Sequence, residues 1–155
     1  MPPSLSVDLK REFMFSVVLR EATAVLQSIL GIEFVPRLAC TLPPGVKREV
    51  RDIEGQFLGL GFSGAYVSLE HDPEVLVGVG VISVRTQGRP PLVYFAGGRT
   101  RNSKALVAAL AIAVARLVDG PIEDGSGHWM PQDEFSPGEL IAAMTSASAS
   151  GSDRR

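Results

Sequence analysis

The chain has 155 residues and a formal net charge of −2, and 45% of its residues are hydrophobic. Its length corresponds to one domain, and its charge is balanced with no basic stripe interleaved with aromatic residues, which argues against nucleic-acid binding. A single cysteine, Cys40, excludes an internal disulfide framework and fits a reducing compartment. Since the first residues also lack the pattern of a signal peptide, we expect a cytoplasmic location and no membrane association.

Two interpretations compete for residues 9–30, which follow a short predicted strand at 4–7. A strand over 12–20 and then a helix over 22–30 is favoured, because the segment EFMFSVVLR is rich in aromatic and β-branched residues. One long helix is the alternative, because apolar residues recur at helical spacing and a glycine follows as a stop signal. The residues that form this helical stripe are Phe15, Val18, Ala22, Val25 and Ile29.

The middle of the chain predicts an antiparallel sheet. A strand over 57–69 and a strand over 75–85 flank the turn HDPE, which favours a hairpin between them. A short buried strand is expected at 92–96. A less regular edge strand is expected at 32–40, which a proline interrupts. Residues 46–54, where charged residues alternate with valine and isoleucine, predict either a solvated edge strand or a loop.

Residues 103–119 predict a helix that is buried on nearly every side, because a single arginine interrupts its apolar run and its six alanines favour helix formation. The run is too short to span a membrane, which takes roughly 20 apolar residues. Asn102 or Ser103 is expected to cap the start of this helix. Gly120 is expected to adopt the left-handed conformation at its end.

Small residues alternate along the two strands that precede this helix. Because side chains of a strand point alternately to opposite faces, each set of small residues lies on one face of its strand. We expect these faces to meet the alanine-rich helix and to allow close backbone approach. The residues concerned are Gly59, Gly61, Ser63 and Ala65 in the first strand and Gly78 and Gly80 in the second.

The C-terminal part of the chain predicts two short elements and a tail. A hairpin is expected over 120–130, with an Asp-Gly turn at 124–125. A helix is expected over 136–144, with Ser136 as its cap and a proline in its first turn. The segment 145–155 consists mainly of small residues, so we expect it to be a disordered tail.

These elements together predict an α+β fold. A single globular domain is expected over residues 1–144, in which a mainly antiparallel sheet packs against the buried helix at about 103–119 and a second helix near the N-terminus. Such a chain is long enough to bury a substantial core.

Chemical motifs give little indication of catalysis. The two histidines, His71 and His128, have no neighbours at metal-binding spacing, and neither an HExxH nor a GxSxG pattern occurs. We therefore predict no catalytic residue, no metal and no cofactor, and we expect a binding protein instead of an enzyme.

Two acidic groups are candidate partner-binding sites, because clustered carboxylates can face a basic partner protein. Each lies at a predicted turn and includes a histidine. The first contains Glu70, His71, Asp72 and Glu74, and the second contains Glu123, Asp124 and His128, with Asp133 and Glu134 added to its acidic patch.

The alternative is a small regulator or enzyme that recognises an anionic metabolite at the loop 97–104, GGRTRNSK. This loop precedes the central helix, where free N–H groups and the helix dipole favour anions. Its cationic residues are Arg99, Arg101 and Lys104. The loop lacks the spacing of a Walker motif, so it does not predict a nucleotide by sequence.

Two segments carry a resemblance to a known class of proteins. They are residues 56–69, within GQFLGLGFSGAYVSL, and residues 105–129, which end in DGPIEDGSGHW. The order of these elements resembles the small α+β immunity proteins of bacterial polymorphic-toxin and contact-inhibition systems. The resemblance implies a non-enzymatic protein that binds and neutralises one cognate protein toxin, and it carries over no active residue.

Overall fold

The computed structural model describes residues 3–41, 55–62, 64–83, 88–124, 126 and 129–151. Within these ranges the chain forms three helices and nine strands. The predicted edge strand or loop at 46–54 and the candidate residues Ser63 and His128 lie outside the described residues. The elements are β1 Ser4–Asp8, β2 Phe13–Met14, α1 Phe15–Leu30, β3 Leu38–Thr41, β4 Phe57–Leu58, β5 Ala65–Leu69, β6 Asp72–Ile82, β7 Leu92–Ala96, α2 Arg101–Val118, β8 Ile122–Glu123, β9 Glu134–Phe135 and α3 Pro137–Gly151.

Seven strands form one sheet in the order β3-β5-β6-β7-β1-β8-β9, and every pairing in it is antiparallel. A separate two-stranded ladder joins β2 to β4. Helix α2 contacts β1, β6, β7 and β8, and α1 and α3 contact α2. We call the side of the sheet that α2 occupies the covered face and the opposite side the open face. The predicted single-domain α+β fold is confirmed.

Helix α2 is the centre of the core, as predicted. All residues from Ala105 to Ala115 are fully buried, because the sheet lies on one side of the helix and α1 and α3 lie on the other. The predicted caps were wrong by one to three residues. Thr100 caps the start by accepting a hydrogen bond from the Ser103 amide at 3.2 Å, and Asp119, with φ of 54°, is the left-handed residue at the end.

Within residues 9–30, only Phe13 and Met14 form a strand and Phe15–Leu30 form one helix, so the favoured interpretation of a strand over 12–20 and a helix over 22–30 was wrong. The helical stripe that the alternative interpretation identified is buried in α1, together with Leu19 and Leu26. The β-branched residues near the start of α1 fit the helix because burial of this stripe against α2 outweighs their local strand preference. Gly31 ends the helix in the left-handed conformation, with φ of 66°.

The predicted strand over 57–69 is two short strands joined by a turn. Phe57 and Leu58 pair with β2, and a hydrogen bond from the Phe62 amide to the Gly59 carbonyl, at 3.0 Å, closes the turn. Gly64, with φ of 95°, precedes β5. The glycines of this segment therefore form a turn, and they do not line a continuous strand.

The prediction that the strand glycines face α2 was also wrong. In β6, Val75, Val77 and Val79 are buried on the covered face, and Gly78 and Gly80 point to the open face. Gly78 lies directly opposite Tyr66 and Gly80 directly opposite Tyr94, across the neighbouring strands. The valines supply the branched side chains that fill the space below α2, and the tyrosine rings lie over the glycines.

A different glycine makes the close approach to α2. A Cβ atom added to Gly97 would lie 2.8 Å from Ser103 Oγ, 3.0 Å from Val107 Cγ2 and 3.1 Å from Val77 Cγ2. Gly97 follows β7 immediately and lies between β6 and α2. The close backbone approach that was expected at the strand glycines therefore occurs at Gly97, at the connection between β7 and α2.

The hairpin predicted over 120–130 was wrong, because its first strand pairs with a strand further along the chain. β8 pairs with β9, so the connection is longer than the predicted Asp-Gly turn. Ser136 caps α3 as predicted: its hydroxyl accepts from the Glu139 amide at 3.1 Å, and Glu139 Oε1 accepts from the Ser136 amide at 2.9 Å. Helix α3 continues to Gly151, seven residues beyond its predicted end and into the segment 145–155 that was expected to be a tail.

Candidate partner-binding face

The first acidic group lies at the turn between β5 and β6. His71 is exposed, and its ring lies edge-on to Phe34 with the ring centroids 5.2 Å apart. The Asp72 carboxylate accepts a hydrogen bond from Asn102 Nδ2 at 2.9 Å, which ties this turn to the start of α2. The acidic group of Glu70 to Glu74 and the cationic loop were predicted as separate sites, and this contact makes them neighbours at one end of the molecule.

The second acidic group separates into residues with different roles. Asp124 is buried, with 6% of its surface exposed. Its carboxylate accepts from the amide and hydroxyl of Ser126, both at 2.9 Å, and from the amide of Trp129 at 3.0 Å. It therefore holds the β8–β9 connection and offers a partner no exposed surface. Glu123, the adjacent residue, points to the open face with 33% of its side chain exposed.

The cationic loop is held by its own hydrogen bonds. The Gly97 amide donates to the Pro3 carbonyl at 3.2 Å, the Gly98 amide donates to Ser103 Oγ at 2.7 Å, and the Ser103 amide donates to Thr100. Lys104 Nζ lies 5.1 Å from the centroid of the Trp129 ring, and Arg99 and Arg101 are exposed. These three amides are satisfied within the chain, and anion binding at this loop stays a prediction.

The open face of the sheet is a surface that the sequence did not identify as a site. Three large apolar side chains are exposed on this face. Leu76 and Ile82 of β6 are 48% and 45% exposed, and Tyr94 of β7, beside Gly80, is 38% exposed. Tyr66 of β5, above Gly78, is half-buried and lies on the opposite side of β6 from Tyr94. We call these four residues the apolar strip. A groove of about 310 Å³ opens beside the two tyrosines, next to Phe62 and Gly64.

Carboxylates border the apolar strip on one side. Asp8 of β1 and Glu123 of β8 point to the open face. Arg89 lies between them, with its Nη2 atom 3.1 Å from Asp8 Oδ2 and 3.5 Å from Glu123 Oε2. Glu134 lies directly opposite Glu123 in the β8–β9 ladder. The hydrogen bond and the charge of Asp8, with further attraction from Glu123 and Glu134, raise the pKa of the Arg89 guanidinium above its ordinary value. We call Asp8, Glu123 and Glu134 the acidic border.

The residue pattern of β6 contains an indication of this surface. The alternation of valine with glycine was recognised in the sequence, but the glycines were placed against α2. The outward set also contains Leu76 and Ile82, which are large and apolar on a face that no described helix covers. Alternation alone does not say which face is buried, and the assignment requires the position of the helix.

The described residues give no indication of metal or membrane chemistry. Among them, no group of three or more histidine, cysteine, aspartate or glutamate side chains is arranged to hold a metal ion. None of the helices in this part of the chain has the length and apolarity to cross a membrane. Comparison with known proteins found no matching family model, no matching curated protein and no matching solved structure.

Proposed function

We propose that this chain is a non-enzymatic binding protein, an immunity protein that binds and neutralises a cognate bacterial toxin inside the producing cell. The observation that carries the proposal is the apolar strip on the open face. Exposed apolar patches of this kind, when bordered by polar residues, are typical of protein interaction sites. The immunity role itself rests on the resemblance of the segments 56–69 and 105–129 to proteins of that class.

The architecture supports binding because its rigid part and its exposed part are the same strands. Each central strand buries one set of side chains under α2 and presents the next set to solvent, so the backbone that carries the presented set is held in place by the core. A surface that is ordered before binding loses less entropy when a partner docks. Such a surface suits recognition of one partner protein.

The test is expression of this chain with the product of a neighbouring toxin gene in a sensitive bacterium. The expected result is that cells carrying both genes grow and that cells carrying the toxin alone do not. The two purified proteins should also form a complex that buries at least about 1,200 Å². Cells that die despite full expression of this chain, together with proteins that do not associate, would contradict the proposal.

A further inference from the structure

We infer that the open face docks a partner protein whose surface presents basic side chains around an apolar centre, with the apolar strip receiving the centre and the acidic border receiving the cations. This inference rests on the proposed function and specifies the surface and the chemistry of the partner. Its first basis is the geometry of the strip. From Leu76 to Ile82 the strip runs about 20 Å along β6, given the rise of an antiparallel strand.

The two tyrosine rings lie along the sheet, so the apolar strip is nearly flat. A Cβ atom added to Gly80 would lie 2.5 Å from the Tyr94 hydroxyl oxygen, so only glycine lets this ring lie on the sheet. The Tyr66 ring lies above Gly78 in the same way, at 3.5 Å from the position of an added Cβ. Two rings that lie along the sheet present broad apolar surfaces, and tyrosine is enriched among the residues that dominate binding energy at interfaces.

Charge decides which occupant fits this face. Among the described residues, the carboxylates of Glu123 and Glu134 both attract the guanidinium of Arg89, which also bonds to Asp8. Glu123 and Glu134 lie directly opposite each other in their ladder, and like charges in that position destabilise a strand pair. A partner that brings cations relieves this repulsion. A second copy is the less suitable occupant, because the arginine that it offers here already lies within 3.5 Å of two carboxylates.

The experiment uses the two tyrosines, which are the only ones in the chain and which both lie on the open face. The full-length protein is nitrated with tetranitromethane, alone and in complex with the toxin identified by the co-expression test, and the modification of each tyrosine peptide is measured by mass spectrometry. We expect the complex to reduce nitration of Tyr94 several-fold. A higher concentration of this chain alone should not reduce it.

Affinity measurements on variants locate the surface independently. Tyr94→Ala and Leu76→Ala should each weaken the complex about tenfold or more, as expected for anchors of an interface. The double variant Glu123→Gln, Glu134→Gln should slow association, with an effect that disappears at high salt. The matched controls are Leu60→Ala, an exposed leucine in the β4–β5 turn and outside the apolar strip, and Glu21→Gln on α1, and both should bind as the wild type does. Thermal unfolding confirms that each variant is folded.

The outcomes separate this inference from the proposed function. Failure of the wild-type chain to bind the toxin would overturn the function and, with it, the inference. Binding that leaves both tyrosines reactive and is unaffected by the variants at Tyr94 and Leu76 would overturn the inference alone. Loss of nitration with increasing concentration of this chain alone would overturn it in favour of a second copy. Protection by the toxin with loss of affinity in the variants, but not in the controls, supports it.

Discussion

The two faces of the sheet are built from the same strands and have opposite chemistry. On the covered face, valines of β6 meet the alanines and leucines of α2, and the contact is fully buried. On the open face, glycines of the same strand lie under tyrosine rings that remain in contact with solvent. The comparison indicates that the covered face determines stability, and we expect the open face to tolerate substitutions that the covered face does not.

The largest difference should appear when a leucine is shortened on each face. Leu110→Ala in α2 should lower the free energy of unfolding by roughly 2–5 kcal/mol, because the substitution leaves a cavity in a fully buried region. Leu76→Ala on the open face, where the side chain is 48% exposed, should lower it by less than about 1 kcal/mol. Urea denaturation measures both. Equal losses in the two variants would show that the open face is packed against something in solution.

Glycine substitutions should differ in the same direction. Gly97→Ala should cost about 1–3 kcal/mol, because the new methyl group would meet Val77, Ser103 and Val107 within 3.1 Å. Gly61→Ala is the matched control, since no heavy atom lies within 4 Å of the position of its Cβ. That variant should remain within about 0.5 kcal/mol of the wild type in the same denaturation experiment. A neutral Gly97→Ala would mean that α2 can move away from β6.

Two adjacent acidic residues allow a third comparison. Asp124→Asn should lower the free energy of unfolding by about 1–3 kcal/mol, because one amide group replaces a carboxylate whose two oxygens accept three hydrogen bonds. The substitution should also alter the fluorescence of Trp129, the only tryptophan. Glu123→Gln on the open face should leave stability and fluorescence close to those of the wild type. A larger loss of stability in Glu123→Gln than in Asp124→Asn would contradict the structural role of Asp124.

The smallest effect is expected within the open face itself. Gly80→Ala should push the Tyr94 ring towards solvent and increase its rate of nitration, at a cost to stability of less than about 1 kcal/mol, because the ring is free to swing outwards. Gly78→Ala should leave the nitration of Tyr66 unchanged, since its methyl group would make an ordinary contact at 3.5 Å. Equal nitration of Tyr94 in wild type and Gly80→Ala would show that the ring does not rest on Gly80.

Elements were predicted correctly from the sequence where one physical signal was enough to identify them. Helix α2 and the strand over 92–96 were found because continuous apolar runs with clear breaks on both sides leave little choice of structure. Residues 9–30 were assigned to the less suitable interpretation because local propensity and periodicity disagreed there. Only the packing of α1 against α2 decides between them, and that is a tertiary contact.

The candidate sites were harder to predict than the fold. Asp124 and Glu123 are neighbours with the same charge, yet one is buried in a loop and the other is exposed, and no local pattern distinguishes them. The open face was missed because its parts come from six strands, β1, β5, β6, β7, β8 and β9, spread over the chain. In the acidic border, Asp8 joins Glu123 and Glu134 because β1 lies between β7 and β8.

That position of β1 has a consequence for how the protein is made. β1 leaves the ribosome before both of its partner strands, since Ser4 pairs with Ala96 and Ser6 pairs with Glu123. At usual rates of translation, its partners follow on the order of 5–20 s later. During that interval the nascent strand has two unsatisfied edges, so the sheet completes late in synthesis and its folding is expected to be slow for a chain of this size.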